Sequence, residues 1–85
     1  MNRLSRLKAT SALLQELLNN SKSIHSQEAI NELNIFFKEI ENMETYYPIG
    51  KVRLLRLFLE TDLSADTELL NCYGRFANLI EGVEV

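Results

Sequence analysis

The stretch SQEAINELNIFFKEIENMETYYPIG, residues 26–50, contains an amphipathic helix and the break that ends it. Ser26 is a candidate N-cap, because its hydroxyl can accept a hydrogen bond from a free amide of the first helical turn. The residue before a proline is displaced from helical geometry, so the helix must end before Tyr47. We predict a helix over residues 27–44, since its apolar side chains recur every three or four positions. These positions are Ala29, Ile30, Leu33, Phe36, Phe37, Ile40 and Met43.

Three further segments show the same periodicity. The first predicted helix covers residues 3–19, and the third covers residues 49–60 with Pro48 beside its first turn. The fourth is predicted to run from an N-cap at Ser64 to a C-cap at Gly82. The third segment is so apolar that we expect it to be the most buried helix. Within the fourth, Gly74 is expected to permit the close approach of a neighbouring helix.

The composition favours helices over strands. Three glycines and one proline in 85 residues are too few for an all-β domain, which needs turn residues every 8–12 positions or so. Short connections between consecutive helices make neighbours antiparallel. We therefore predict an all-α fold, an antiparallel four-helix bundle, with residues 1–85 forming a single domain.

Charge and cysteine content narrow the class of protein. The net charge of −3 argues against a nucleic-acid partner, because such proteins usually carry a basic excess. One cysteine cannot form an internal disulfide and fits a reducing compartment. No apolar run reaches the roughly 18–20 residues that cross a bilayer. The sequence predicts a cytoplasmic protein, and we expect a monomer.

Few residues are equipped for catalysis. His25 is the only histidine and lies between serines in a predicted loop, where a solvated role is expected. Cys72 is on the apolar side of the fourth helix, as expected of a small buried hydrophobe. Glu28 and Glu32 have i, i+4 spacing but lack the Glu-x-x-His pattern of di-metal bundles. We expect no enzyme activity, no metal and no cofactor.

Two features favour binding. Tyr46 and Tyr47 precede the proline, and tyrosine is enriched at interfaces; alternatively, one of them caps the core at the helix junction. The second feature is a separation of charge. Basic residues occur in the first and third helices, whereas residues 28–44 contain five acids and one lysine. The basic groups either form a patch for lipid headgroups or an acidic protein face, or pair with the acidic second helix, which we favour.

The candidate partner-binding residues are chosen from the second half of the chain by side-chain type and expected exposure. They are Tyr46, Tyr47, Lys51, Arg53, Arg56, Tyr73 and Arg75.

The order and spacing of four segments resemble the immunity proteins of pediocin-like (class IIa) bacteriocins, especially the enterocin A immunity group. These segments are Glu16-Leu17-Leu18-Asn19, Lys38-Glu39-Ile40-Glu41, the Pro48 break and Arg53-Leu54-Leu55. The similarity extends over residues 13–82.

The resemblance implies a cytoplasmic four-helix bundle that protects a producer cell from its own pore-forming peptide. It implies a partner, the mannose phosphotransferase permease engaged by the bacteriocin, bound from the cytoplasmic side with peripheral contact to the inner membrane face. A regulatory adaptor or secretion co-chaperone, which binds an amphipathic helix of a partner in an apolar groove, is the alternative.

Overall fold

The computed structural model describes residues 2–83, so the first residue and the last two of the predicted domain lie outside the described part. Four α-helices form there: α1 (Arg3–Asn20), α2 (Ser26–Glu41), α3 (Leu55–Glu60) and α4 (Thr67–Glu81). A 3-10 helix, Asp62–Ala65, precedes α4. The described residues contain no strand, and the predicted all-α class is confirmed.

Contacts at the two ends of the molecule define the direction of each helix. At one end, the Tyr46 hydroxyl after α2 donates to the Leu79 carbonyl near the end of α4, and Arg3 at the start of α1 lies over the Tyr46 ring. At the other end, Ser23 in the α1–α2 loop donates to Asp62, before α4. Consecutive helices therefore run in opposite directions. The helix α1 packs along both α2 and α4, while α3 contributes only six residues.

The core is a single cluster that contains mainly residues of α1, α2 and α4. The Phe37 ring meets Phe76 edge-on, with 5.6 Å between ring centroids, and so joins α2 to α4. Phe58 of α3 stacks on Tyr73 of α4 at 4.1 Å. This stacking attaches the short helix to the core, because ring contacts of this kind stabilise beyond the area they bury.

The start and end of α2 differ from the prediction. His25 occupies the N-cap position, while the hydroxyl of Ser26 donates to the Ser23 carbonyl, so the predicted Ser26 cap is wrong. The helix ends at Glu41 rather than at residue 44. Asn42 is the C-cap: its side-chain N–H also bonds the Lys38 carbonyl, and the next amide, that of Met43, bonds the Ile40 carbonyl in a tighter 3-10-type turn.

The predicted third helix over residues 49–60 is wrong in its first half. The N–H groups of Ile49 and Gly50 both donate to the Ile80 carbonyl, at 2.8 and 3.0 Å. These two amides are satisfied by the end of α4, and Gly50 takes a positive φ of 143°, which a helix does not allow. Residues 43–54 therefore form an irregular connection, here called the strap, and α3 begins only at Leu55.

Two expectations about α4 are wrong and one is confirmed. The N-cap is Asp66, whose carboxylate accepts from the Leu69 N–H at 3.1 Å, and not Ser64, which lies in the 3-10 helix. A Cβ added at Gly74 would meet nothing within 4 Å, so no neighbouring helix approaches closely there. Gly82 is the C-cap, with the left-handed φ of 82° that ends many helices.

Candidate functional site

The outer side of the strap and α3 carries a row of exposed cations and leucines. Along residues 51–55 the side chains alternate between exposed and half-buried, as expected of extended backbone. Lys51, Arg53 and Leu55 lie on the exposed side of this alternation. In α3, Leu55, Arg56 and Leu59 are exposed, because Phe58 is the position that faces the core. We call these five residues the basic strip: Lys51, Arg53, Leu55, Arg56 and Leu59.

The sequence did not predict that the two leucines of the basic strip lie on the surface. Leu55 and Leu59 are 53% and 52% exposed, so the expectation that the third helix is the most buried one is wrong. A helix of six residues has only one face against the core, and Phe58 occupies it. The alternation of cations with apolar residues from Lys51 onward was the signal in the sequence that one side of this segment faces water.

Contacts with the end of α4 hold the strap in place. The Tyr46 hydroxyl donates to the Leu79 carbonyl at 2.5 Å, and its half-buried ring packs on the core. Arg3 lies 5.4 Å from the centroid of that ring. Tyr46 thus matches the alternative in which one tyrosine caps the core at the junction. Tyr47 is exposed and its hydroxyl bonds the Glu39 carboxylate, which raises the pKa of Tyr47 above 10.0.

Tyr73 is not a surface residue. Its side chain is 2% exposed, so its selection as a partner contact on the basis of exposure is wrong. The ring stacks on Phe58, and the hydroxyl accepts the Leu54 N–H at 3.2 Å. Burial raises the pKa of Tyr73 above 10.0, and the Leu54 N–H opposes that rise. Tyr73 therefore holds the strap and α3 against α4 from inside.

Arg75 is exposed on α4, and its charge acts on a neighbouring thiol. Cys72 is fully buried, as expected, and its thiol faces the Thr10 carbonyl at 3.7 Å. Burial raises the pKa of Cys72, and Arg75 partly opposes this rise. The thiol is therefore kept neutral inside the α1–α4 contact, the environment of an unreactive cysteine.

Among residues 2–83, Lys51, Arg53 and Arg56 do not form the expected pairs with the acidic second helix. Over residues 2–83, the recorded ion pair is Arg56 with Glu60, at 3.5 Å and within α3. Lys51 and Arg53 have no acidic partner among those residues. An exposed pair one helical turn apart contributes little to stability. The charges of the basic strip are therefore presented mainly to solvent.

A second feature is a groove of about 380 Å³ between α1 and α2. Phe37 and Ile40 lie at its base, while Lys8, Gln15 and Glu41 bring polar groups to its edge. In the described part of the chain, no three His, Cys, Asp or Glu side chains group as a metal site would require. No helix there has the length and apolar character needed to traverse a bilayer.

Comparison with protein-family models, with curated proteins and with solved structures finds no match to this chain. Among the described residues, the basic strip combines three exposed cations with two exposed leucines.

Proposed function

We propose that this protein is an immunity protein that protects a bacteriocin-producing cell from a pediocin-like peptide. The observation that carries the proposal is the basic strip, where three exposed cations and two exposed leucines lie together. From Thr45 to Leu59 the chain has no aspartate or glutamate. The ordered segments that resemble the enterocin A immunity group give this surface its proposed partner.

The proposed partner is the mannose phosphotransferase permease engaged by the bacteriocin, bound from the cytoplasmic side. The basic strip would face the inner membrane surface where that complex lies, with the protein peripheral to the membrane. Exposed arginine favours such contacts, because its planar group forms two hydrogen bonds to a carboxylate or phosphate. The peptide pore would then be blocked by binding alone, with no chemical step.

Protection by binding alone requires that the side chains of the basic strip are held in a fixed arrangement. The strap is attached to α4 at several points, through Tyr46, Ile49, Gly50 and Leu54. The stack of Phe58 on Tyr73 holds α3 in the same way. The basic strip is thereby presented in one arrangement before the partner arrives, which lowers the entropy cost of binding.

The alternative, an adaptor or secretion co-chaperone, needs an apolar groove that fits a helix. The large apolar residues that line the groove between α1 and α2, Phe37 and Ile40, are themselves buried, so the groove offers little exposed apolar surface to an amphipathic helix. Pull-down from producer cells separates the two proposals. Recovery of a transcription or secretion factor without any permease component would favour the adaptor.

Expression of the chain in a bacteriocin-sensitive host tests the immunity proposal. Killing by at least one member of a panel of pediocin-like peptides should fall strongly. Killing by a pore-forming peptide that does not use the permease serves as the control and should be unchanged. Unchanged killing across the whole panel would contradict the proposal.

A further inference from the structure

The charge of the basic strip is opposite to that of the molecule as a whole. The chain carries twelve acidic and nine basic residues, yet Lys51, Arg53 and Arg56 occur in a run of fifteen residues without an acid. The first acid after this run, Glu60, is engaged with Arg56. A negatively charged surface would therefore repel most of the protein and attract this face. Residues 1–15 also contain three cations and no acid. Arg3 and Arg6 are half-buried there, whereas all three cations of the basic strip are exposed, so the basic strip is the face expected to turn toward a negatively charged surface.

The two exposed leucines restrict which kinds of negatively charged surface the basic strip can bind. Leu55 and Leu59 are one helical turn apart on the outward face of α3, and Arg56 lies beside them. A nucleic acid, or a polypeptide of acidic residues alone, would satisfy the cations and leave both leucines in water. The boundary between the headgroups and the acyl chains of a phospholipid membrane can accommodate the cations and the leucines together, because anionic groups lie directly above apolar chains there.

We propose that the basic strip binds the anionic headgroups of a phospholipid surface, with Leu55 and Leu59 inserted between them. The inference rests on the proposed function, since that function brings this face to the inner membrane surface. Lys51, Arg53 and Arg56 are all exposed and close together in sequence, so one charged surface can contact all three.

Cosedimentation of the purified chain with lipid vesicles tests the charges. Vesicles that contain phosphatidylglycerol should bind the protein, and vesicles of phosphatidylcholine alone should not. Each cation near an anionic surface changes the partition coefficient about fivefold. The triple variant K51Q/R53Q/R56Q should therefore bind on the order of 100-fold more weakly.

The matched control removes three other exposed lysines, Lys8, Lys22 and Lys38, in the variant K8Q/K22Q/K38Q. Its net charge changes by the same amount, so attraction through net charge alone would weaken both variants equally. Equal loss in the two triple variants, or equal binding to both kinds of vesicle, overturns the proposal.

The apolar part of the proposal needs a separate pair of variants. L55S/L59S should weaken binding on the order of tenfold, because two apolar side chains no longer enter the interface. I24S/I35S changes two isoleucines that are even more exposed, at 87% and 72%, and should bind as the wild type does. Equal binding by both variants, or equally tight binding of the wild type to polyglutamate, would show a purely ionic site and overturn the proposal.

Circular dichroism of every variant should match the wild type, since all ten changed positions are exposed. The vesicle assay contains neither permease nor bacteriocin, so its outcome is independent of protection. Protection without vesicle binding overturns the lipid inference and leaves immunity in place. Vesicle binding without protection contradicts immunity and leaves the lipid surface as the target.

Discussion

Helix α4 and the segment of residues 51–60 have similar apolar content but opposite positions in the molecule. Six of the fifteen residues of α4 are buried, whereas Phe58 is the one buried residue of the segment. The buried residues of α4 are Leu69, Cys72, Tyr73, Phe76, Leu79 and Ile80. The apolar residues of α4 fill the core, and those of the strap and α3 are divided between core and solvent. Leucine count alone thus does not separate a structural element from a displayed surface.

The difference arises from how many sides of each element are covered. Helix α4 packs on α1 along its length, meets α2 through Phe76, and is capped by Asp66 and Gly82. The segment of residues 51–60 is covered on one side only, by Tyr73 and its neighbours. We therefore expect substitutions in α4 to act on stability and substitutions in the basic strip to act on binding.

The largest expected effect is at Phe76, the fully buried ring that joins α4 to α2. Phe76→Ala should lower the free energy of unfolding by about 3–5 kcal/mol, through lost burial and the cavity left behind. Leu59→Ala should change it by no more than about 0.5 kcal/mol, because half of that side chain is already in water. Urea unfolding, monitored by circular dichroism, measures the free energy of unfolding of the two variants. Similar losses at the two positions would remove the distinction drawn between α4 and the strip.

If Phe76→Ala leaves too little folded protein to measure, Phe76→Leu provides the same comparison with a smaller cavity. Phe76→Leu should still lower the free energy of unfolding by more than Leu59→Ala does.

A smaller effect is expected where α4 meets the strap. Gly82 has a φ of 82°, and an added Cβ would lie 3.1 Å from the Pro48 Cβ. Gly82→Ala should therefore cost about 1–2 kcal/mol, since an L-residue is strained in this conformation. Gly74→Ala should stabilise by about 0.5–1 kcal/mol, because the site is open and alanine favours helix. Thermal unfolding compares the two variants, and the same sign for both would contradict this description of the α4 terminus.

The third prediction concerns the hydroxyl of Tyr73. Tyr73→Phe keeps the stack on Phe58 but leaves the Leu54 N–H without its acceptor, which should cost about 1 kcal/mol. Burial raises the pKa of Tyr73 in the folded state above 10.0. The stability that this shift contributes is complete below pH 10 and is lost as the pH rises through the folded-state pKa.

The free energy of unfolding of the wild type should therefore decrease above about pH 10, and Tyr73→Phe should show a shallower decrease. Urea unfolding at pH 7, 9 and 10.5 measures both effects. Identical pH profiles for the two proteins would mean that Tyr73 ionises as freely as an exposed tyrosine.

The sequence predicted the long helices because their evidence is local. In α1 and α4 the apolar residues recur at helical spacing along the whole element, and Gly82 marks the end of α4. The burial of Cys72 could be predicted for the same reason. The predicted caps of α2 and α4 were wrong because the Ser26 and Ser64 hydroxyls donate to the Ser23 and Thr61 carbonyls instead of accepting from the helix amides. Asp66 accepts from the first turn of α4 in place of Ser64.

The strap could not be predicted from local pattern. Residues 49–54 have a helical arrangement of apolar side chains, and the contacts that prevent a helix come from Tyr73 and Ile80 of α4, which lie far along the chain. The exposure of Leu55 and the burial of Tyr73 follow from those contacts. The cations Lys51, Arg53 and Arg56 were correctly predicted as surface residues, because lysine and arginine are rarely buried.

The most direct test of the account is protection by the double variant Arg53→Glu with Arg56→Glu, measured in a bacteriocin-sensitive host. Both side chains are exposed, so the helix content of the purified variant should equal that of the wild type. We predict that protection is abolished, whereas K22E/K38E, with the same change in net charge, still protects. Full protection by the double variant, at equal protein level, would contradict the central claim that the basic strip is the functional surface.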